Sequence, residues 1–255
     1  MTISITDLEA AAADSWRAPE EVPLGGWLLR AAGGFTGRAN SALAAGDPGR
    51  PLAAAIQEVR VWYQARGLPA MIAVPFPLRR PHDSEVDRYL GQDGWTIRAA
   101  AATVMTAGPC AVAALVPAAT VPVDIDAAPD DRWLARYHYR GQGLPHIARR
   151  LLMSAPWQAF ASVREAGETL AVGRVAAAGA WAGLTAVEVH PRHRGRGFAR
   201  AVTAALARSA ARRGATGLYL QVEDDNTAAR ALYASAGFTD HHGYHYRIAP
   251  AASLG

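Results

Sequence analysis

The stretch that decides the fold is VEVHPRHRGRGFARAVTAALARSAARRGATGLYLQVEDDNTAARALYASAGF, at residues 187–238. Its first residues are apolar and β-branched, which favours a strand, and Pro191 ends that strand. An arginine- and glycine-rich turn follows at 194–199, after which apolar residues such as Val202 and Leu206 recur at helical spacing. A second apolar run and a second helical pattern complete the stretch. It therefore predicts strand, turn, helix, strand and helix, in that order.

The turn at 194–199 has the composition of an anion-binding site. The N-terminus of a helix leaves four main-chain N–H groups unpaired, and the helix dipole adds positive potential there. Gly195 and Gly197 let a ligand approach the main chain closely, and Arg194 and Arg196 add positive charge. A pyrophosphate group suits such a turn. The chain contains neither G-x-G-x-x-G nor any lysine, which excludes a dinucleotide fingerprint and a P-loop.

Two motifs in this stretch resemble those of the GCN5-related N-acetyltransferase (GNAT) family. The first, Arg-x-x-Gly-x-Ala, begins at Arg194; a register beginning at Arg192 also fits, but the distance from Pro191 favours Arg194. The second, Asn-x-x-Ala-x-x-Leu-Tyr followed by Gly-Phe, matches Asn226, Ala229, Leu232, Tyr233, Gly237 and Phe238. The resemblance extends from about Val121 to the C-terminus. It implies a GNAT fold and acetyl-CoA as cosubstrate.

The resemblance also implies a donor site. The main chain at Val187, Glu188 and Val189 would pair with the pantetheine arm and donate hydrogen bonds to the thioester carbonyl. The pyrophosphate would lie on Arg194, Gly195, Arg196, Gly197, Phe198, Ala199 and Arg200. Asn226 would hydrogen-bond the pantetheine arm, and its alternative role is the N-cap of the following helix.

Tyr233 is the residue that we expect to act as general acid. In the family, a tyrosine in this context gives its proton to the departing CoA thiolate. A phenol with a pKa near ~10 keeps its proton at neutral pH and can donate it during the reaction. The alternative is a core tyrosine that packs its helix on the sheet.

The general base is the part of the pattern that this chain does not match. Gln221 stands where a glutamate is common in the branch of the family that acetylates protein N-termini, and a glutamine cannot accept a proton. We assign the role to Glu188. Glu223, a histidine such as His190 and a water relay remain alternatives, and Glu188 could also be a surface-facing strand residue.

Composition indicates a globular protein with substantial cores. The chain has 255 residues, of which 51% are hydrophobic, and its apolar runs are too short to span a membrane. Acids near the N-terminus argue against a signal peptide, so we expect a cytoplasmic protein without a membrane partner. The one cysteine, Cys110, permits no internal disulfide.

The positive charge of the chain is carried by arginine alone. The net charge is +4, and many arginines cluster on or beside the helix that follows the turn: Arg192, Arg194, Arg196, Arg200, Arg208, Arg212 and Arg213. Because CoA carries several phosphate charges, a CoA site accounts for this cluster, and we do not predict nucleic-acid binding. His241, His242 and His245 lack the spacing of a zinc site, so no metal is expected.

The N-terminal half resembles a degenerate second copy of the same unit. The order strand, helix, strand, helix, Gly-aromatic, strand occurs before residue 110 as well as after residue 187. The turn before its long helix reads AGDPGR at 45–50, where Asp47 would repel pyrophosphate, and Leu90 stands at the position of Tyr233. We therefore predict a GNAT-like N-terminal scaffold at 1–110, a linker at 111–122 and a catalytic domain at 123–255.

These observations predict a mixed α/β fold made of two GNAT-like halves in tandem, each a mostly antiparallel sheet flanked by helices. A helix-loop-helix that includes Tyr137, His138, Tyr139 and His146 would line the acceptor groove. The predicted function is direct transfer of an acetyl group from acetyl-CoA to a primary amine, on a small molecule or a peptide, in a ternary complex. The alternative is a non-catalytic acyl-CoA-binding or regulatory protein. The sequence is compatible with a monomer or a homodimer.

Overall fold

The computed structural model describes residues 3–80, 83–98, 101–115, 121–139 and 141–250. Within these ranges the helices are α1 (Ile5–Asp14), α2 (Leu52–Gln64), α3 (Glu85–Gln92), α4 (Pro109–Ala114), α5 (Asp131–Arg136), α6 (Ile147–Leu152), α7 (Phe198–Arg212) and α8 (Thr227–Ser235). The strands are β1 (Glu20–Leu24), β2 (Trp27–Ala31), β3 (Ala42–Leu43), β4 (Met71–Phe76), β5 (Thr96–Ile97), β6 (Ala102–Ala107), β7 (Asp124–Asp126), β8 (Trp157–Glu165), β9 (Glu168–Ala178), β10 (Trp181–Val189), β11 (Gly217–Glu223) and β12 (Thr239–Ile248).

The twelve strands of the described ranges form one sheet. Its order is β1-β2-β3-β4-β12-β6-β11-β10-β9-β8-β7, and β5 pairs with the end of β12. Two pairs, β3–β4 and β10–β11, are parallel, and the remaining pairs are antiparallel. The predicted mixed α/β fold with a mostly antiparallel sheet is therefore confirmed.

The two halves of the chain repeat one unit. In the first half, β3 and β4 are parallel and α2 connects them, after which α3 and β6 follow. In the second half, β10 and β11 are parallel, α7 connects them, and α8 and β12 follow. Parallel neighbours need such a crossover connection. The repeated order agrees with the predicted tandem arrangement.

The final strand of each half lies beside strands of the other half. Residues 243–248 of β12 pair with β4, and residues 218–223 of β11 pair with β6. Strand β6 also pairs with β12, so the two strands are exchanged at the middle of the sheet. The predicted boundaries at 110 and 123 divide the sequence, but the strands of the two halves alternate across them. The predicted linker begins within α4, and residues 116–120 of that segment lie outside the described ranges.

The long helix of each half packs on its strands through residues at helical spacing. In α7, Val202, Leu206 and Ala210 are fully buried against the C-terminal strands. In α2, Val59 and Tyr63 are buried in the same way against the N-terminal strands. This packing fixes the start of α7 at the end of β10, where the predicted anion site lies. No helix of the described ranges has the length and apolar character that crossing a membrane requires.

Candidate active site

Strands β10 and β11 separate halfway along their length. They pair in parallel from Trp181 with Gly217 to Leu184 with Leu220, and no further pair joins them in the described chain. On the other side of β10 a bulge interrupts the pairing with β9 between Thr185 and Glu188, and Ala186 has a left-handed φ of 55°. The bulge releases the main chain of residues 186 and 187 from the ladder. A gap therefore opens between the two central strands.

A cavity of about 350 Å³ occupies this gap. The separated strands and α8 line one part of it, with Leu184, Thr185, Ala186, Val187, Leu220, Gln221, Val222, Glu223, Asn226, Ala229 and Tyr233. The remaining wall comes from other segments, with Gly37, Arg38, Arg98, Ala102, Tyr137, His138, Tyr139, Tyr244 and Tyr246. Three of the predicted site residues, Val187, Asn226 and Tyr233, thus meet at one cavity.

The arginine- and glycine-rich turn lies at the end of β10 and opens α7. Gly197 is the N-cap of the helix, and Gly195 and Gly197 have left-handed φ angles of 76° and 82°. A Cβ atom added to either glycine would meet no other atom within 4 Å. Glycine is therefore required by the backbone conformation, and the space in front of the turn is open to a ligand.

The arginines of this turn are exposed and have no carboxylate partner among the described residues. Arg196 lies 2.8 Å from His193 Nδ1 and its guanidinium stacks 4.9 Å from the ring centre of Phe198. Arg200 donates to Ser235 Oγ at 2.8 Å. Phe198 is buried and anchors the first turn of α7, while Ala199 is half-buried. The positive charge of the turn is thus available to an anionic ligand.

The position of Asn226 is compatible with both roles considered for it, the N-cap of α8 and a ligand contact in the cavity. Its side-chain oxygen accepts a hydrogen bond from the main-chain N–H of Ala229 at 3.1 Å, so it is the N-cap of α8. It also lines the cavity. Its amide NH2 group makes no hydrogen bond to the described residues, and this leaves two donors for a ligand.

Tyr233 projects from α8 into the core beside the gap. The residue is 9% exposed, and its ring packs edge-on against Phe238 at a centroid distance of 5.8 Å. Burial raises the pKa of Tyr233 to about 12. Its hydroxyl has no hydrogen-bond partner in the part of the chain that the structure describes. The predicted packing role and a protonated hydroxyl at the cavity are therefore combined in one residue.

Glu188 is directed toward His138 and does not line the cavity. Its carboxylate accepts the main-chain N–H of His138 at 2.7 Å, lies 3.1 Å from His138 Nδ1, and is 3.6 Å from the Arg136 guanidinium. Val189 packs against the core beneath α7. Glu188 is therefore occupied by the segment that follows α5. The acid that does line the cavity is Glu223, one of the alternatives considered from the sequence.

Histidines at two places could suggest a metal, and both have partners within the chain. His242 Nε2 lies 2.8 Å from Glu9, and His245 Nε2 lies 2.6 Å from Asp87, so these two buried rings do not converge. Ligand atoms of Glu168, His190 and His193 lie within 4.8 Å of one another beside the anion turn.

In this second group, neighbouring N–H donors occupy the Nδ1 atoms of both histidines. The Nδ1 atom of His190 accepts the N–H of Arg192, and the Nδ1 atom of His193 lies 2.8 Å from an Arg196 nitrogen. Both rings therefore carry a proton on Nε2, the atom that faces Glu168. A metal would have to displace both protons.

Part of the cavity wall comes from residues that sequence reasoning did not single out. Arg38 donates to Gln221 Oε1 at 2.8 Å, although the two residues are 183 positions apart. Arg98 lies over the ring of Tyr246, with its guanidinium carbon 5.7 Å from the ring centre. A Cβ on Gly37 would approach that ring to 2.8 Å. The N-terminal half, predicted to be a scaffold, thus supplies part of the site. No local motif marks these residues.

The sequence is similar to those of proteins described as acetyltransferases. The family described as "Probable histone acetyltransferase Rv0428c C-terminal" matches residues 2–247. The Mycobacterium tuberculosis protein "Probable histone acetyltransferase Rv0428c" is 34% identical over 266 residues, which cover 100% of this chain and 76% of that protein. "Uncharacterized N-acetyltransferase YobR" of Bacillus subtilis is 29% identical over 254 residues, covering 96% of this chain and 98% of the relative.

Solved structures share the fold over nearly the whole chain. A GCN5-related N-acetyltransferase from Kribbella flavida superimposes with a TM-score of 0.69 at 18% identity, covering 100% of this chain and 98% of that one. A "Tandem GNAT protein from the clavulanic acid biosynthesis pathway" gives a TM-score of 0.65 at 14% identity, covering 84% and 76%. Matched along 246 of its residues by the family profile, the chain belongs to the Rv0428c C-terminal acetyltransferase family and thus to the GCN5-related N-acetyltransferases.

Proposed function

We propose that this protein transfers an acetyl group from acetyl-CoA to a primary amine by direct attack within a ternary complex. The observation that carries the proposal is the gap between β10 and β11, which has Tyr233 on one side and tyrosines, arginines and a histidine on the other. A thioester bound in this gap would lie next to an acceptor that enters from the opposite face, so the two reactants would be held close together.

The chain has groups that suit each part of CoA. The open turn at Gly195 and Gly197 offers to a pyrophosphate main-chain N–H groups and arginines that have no carboxylate partner among the described residues. The released main chain of residues 186 and 187 can pair with the amide groups of pantetheine, and the free NH2 of Asn226 can do the same. The donor supplies an activated acyl thioester, and the chain binds and orients it.

We assign to Tyr233 the protonation of the leaving thiolate. Because burial holds its pKa at about 12, the hydroxyl keeps its proton throughout the physiological range. The position of the one thiol of the chain favours direct attack by the amine over transfer through an acetylated cysteine. Cys110 is exposed on α4 and does not line the cavity, so it is not placed to carry the acetyl group.

His138 is the group that we assign to accept the proton of the attacking amine. Its Nδ1 lies 3.0 Å from the main-chain oxygen of Arg136 and 3.1 Å from the Glu188 carboxylate, closer than the Arg136 nitrogen at 3.4 Å. These two acceptors hold the proton on Nδ1, which leaves a lone pair on Nε2 at the cavity. Glu188 thereby acts as a positioning residue, and Glu223 is the competing proton acceptor.

The test is thiol release from acetyl-CoA by the full chain in the presence of a panel of primary amines, including amino acids, aminoglycosides and peptides. Turnover with at least one amine, together with thermal stabilisation by acetyl-CoA, supports the proposal. The replacement of a usual glutamate by Gln221 favours the second candidate, an acyl-CoA-binding protein without turnover. Stabilisation by acetyl-CoA with no thiol release from any amine would establish that second function instead.

A further inference from the structure

The acceptor side of the cavity carries a guanidinium that no acid neutralises. Arg38 donates one N–H to Gln221 Oε1 at 2.8 Å, and its guanidinium carbon lies 5.1 Å from the ring centre of Trp16. Among the described residues no carboxylate lies within ion-pair distance of it. Its other N–H groups make no hydrogen bond to these residues and are not sealed from the cavity. Arg38 therefore presents unused donors to whatever enters.

Arg98 adds a second cation to the same wall. Its main-chain N–H donates to the Tyr246 carbonyl at 2.9 Å, which fixes the backbone next to β12. Its guanidinium lies over the Tyr246 ring, and the closest side-chain acceptor given by the described chain is the Met71 sulfur at 3.9 Å. A sulfur at that distance is a weak acceptor. Arg98, like Arg38, lines the cavity without an acidic partner.

The surroundings of the two arginines do not cancel their charge. Tyr244 and Tyr246 are buried beside them, and burial raises the pKa of both phenols, so both stay neutral at physiological pH. Arg174 is fully buried nearby and contacts the other side of Trp16. Burial lowers the pKa of Arg174 to about 9, which still leaves it charged at neutral pH. Glu9 is a buried acid that lines a small cavity together with Arg38, but its carboxylate lies 2.8 Å from His242 Nε2 and forms no ion pair with Arg38. The guanidinium groups of Arg38 and Arg98 therefore give this wall positive charge.

Two acids lie at or near other parts of the cavity wall. Glu223 lines the cavity at the end of β11, and Glu188 lies behind His138. A molecule with an amine and a carboxylate matches both kinds of group, since the amine would lie toward Glu223 and His138 and the carboxylate toward the arginines. A planar carboxylate also fits the fork of a guanidinium. The cavity of about 350 Å³ must hold the acetyl end of the donor as well, so the part of the acceptor that enters it is small.

We propose that the acceptor is a small amino acid, with its carboxylate bound by Arg38 and Arg98. The binding of the amino acid stands on the geometry alone, and its acetylation rests on the function proposed above. The name of the Mycobacterium tuberculosis relative refers to histones. A lysine-rich tail would bring positive charge toward two guanidinium groups, and this arrangement disfavours it.

The experiment measures ligand binding to the CoA-loaded full chain by calorimetry. The probes are the common α-amino acids, β-alanine and 4-aminobutanoate, each paired with its carboxamide. We expect at least one amino acid to bind about tenfold or more tightly than its carboxamide. Arg38→Gln and Arg98→Gln should each remove that preference. Arg79→Gln, an exposed arginine outside the cavity, should retain it, and unchanged CoA affinity shows that each variant is folded.

Three results would overturn the inference: no amino acid binds, amino acids and carboxamides bind equally, or the preference survives both substitutions. Tighter binding of phosphoethanolamine or of a lysine-rich histone peptide would also overturn it. The wild-type comparison needs no variant, so misfolding cannot hide the answer. Thiol release measured in parallel separates the two proposals. Arginine-dependent binding without turnover contradicts acetyl transfer alone, and equal turnover of amines without a carboxylate contradicts the amino-acid acceptor alone.

Discussion

The turns that precede the two long helices occupy equivalent places in the repeat and have opposite characters. Before α7, the main chain at Gly195 and Gly197 is left-handed and faces open space. Before α2, the turn at 45–50 is packed against the rest of the chain. A Cβ on Gly25 would come within 2.3 Å of the Pro48 carbonyl group, so the two backbones are in direct contact.

The N-terminal turn also makes hydrogen bonds within the chain, both with an N–H donor and with a carbonyl acceptor. The Asp47 side chain accepts the main-chain N–H of Gly49 at 2.8 Å, and the Trp27 indole donates to the Gly46 carbonyl at 3.0 Å. One carboxylate therefore takes the place that a phosphate could take, with the same sign of charge. The comparison teaches that this position of the fold becomes either a ligand site or a packing contact, depending on whether its N–H groups are satisfied within the chain.

We expect the largest effect when the C-terminal turn receives an aspartate, the acid that the N-terminal turn has at Asp47. Gly197→Asp should abolish measurable acetyl-CoA binding, because placing like charges together across an interface costs several kcal/mol. Thermal shift and calorimetry with acetyl-CoA measure it. The matched control is Gly197→Asn, since asparagine tolerates a left-handed φ and adds no charge. An equal loss in both variants would mean that backbone strain, and not charge, destroys the site.

The second prediction separates Tyr233 from Leu90, its fully buried counterpart in the first half. Tyr233→Phe should lower kcat by about 10²–10⁴-fold, the usual contribution of a positioned acid. The ring stays, so the melting temperature and the affinity for CoA should remain close to those of the wild type. Steady-state kinetics with thermal melting measures both. Near-normal turnover accompanied by lost stability would leave Tyr233 as a packing residue like Leu90.

The third prediction concerns the acceptor side, for which the first half has no assigned counterpart. His138→Gln should lower kcat by about 10²-fold. Glu188→Gln should lower it less and move the acid limb of the pH–rate profile, because Glu188 acts through His138 at 3.1 Å. Glu223→Gln is the comparison variant. If it has a larger effect than His138→Gln, Glu223 is the proton acceptor.

The fourth prediction uses the pKa of Tyr233. A general acid works in its protonated form, and burial has raised this pKa to about 12. The protonated form therefore persists at every pH well below that value. The ratio of wild-type kcat to Tyr233→Phe kcat should stay constant from neutral pH to about pH 10. A ratio that declines within this range would show that the hydroxyl ionises earlier and that the buried environment is not maintained during turnover.

The smallest expected effect is at the N-terminal turn itself. Calorimetry should give one CoA site per chain, and Asp47→Ala should not add a second, because the turn remains packed against Gly25 and Gly26. Loss of the Asp47–Gly49 hydrogen bond should cost about 1 kcal/mol of stability. Two sites in the variant would mean that the carboxylate alone closes the turn.

The backbone geometry of the proposed donor side could be predicted from the sequence because its determinants are local. The pattern of arginines and glycines at 194–199 specifies a backbone conformation and a helix start within six residues, and Asn226 caps the next helix across three. The acceptor side could not be predicted in this way. Arg38 reaches Gln221 across 183 positions, and the orientation of Glu188 toward His138 depends on how the segment after α5 folds back.

The sheet topology shows the same limit. The sequence predicted the order of strands and helices in the two halves, but nothing in β6 or β12 specifies that each pairs across the boundary between halves. The three-dimensional arrangement of the whole sheet determines which strands pair. A local sequence pattern predicts a strand but does not identify the strand with which it pairs. The prediction of two halves therefore described the order of strands and helices along the chain, but it did not include the exchange of strands between the halves.

The exchange of strands determines when the sheet can fold as the chain is synthesised. Strand β12 is the last strand of the described chain, yet it lies at the centre of the sheet between β4 and β6. Until it leaves the ribosome, the emerging first half carries unpaired edges on β4 and β6, which are open to wrong partners. Folding of the sheet must therefore wait until β12 has been synthesised, and such long-range pairing is slow. A truncation that removes residues 239–248 would remove the strand that pairs with both β4 and β6. We therefore expect that neither half can be produced alone as a soluble fragment.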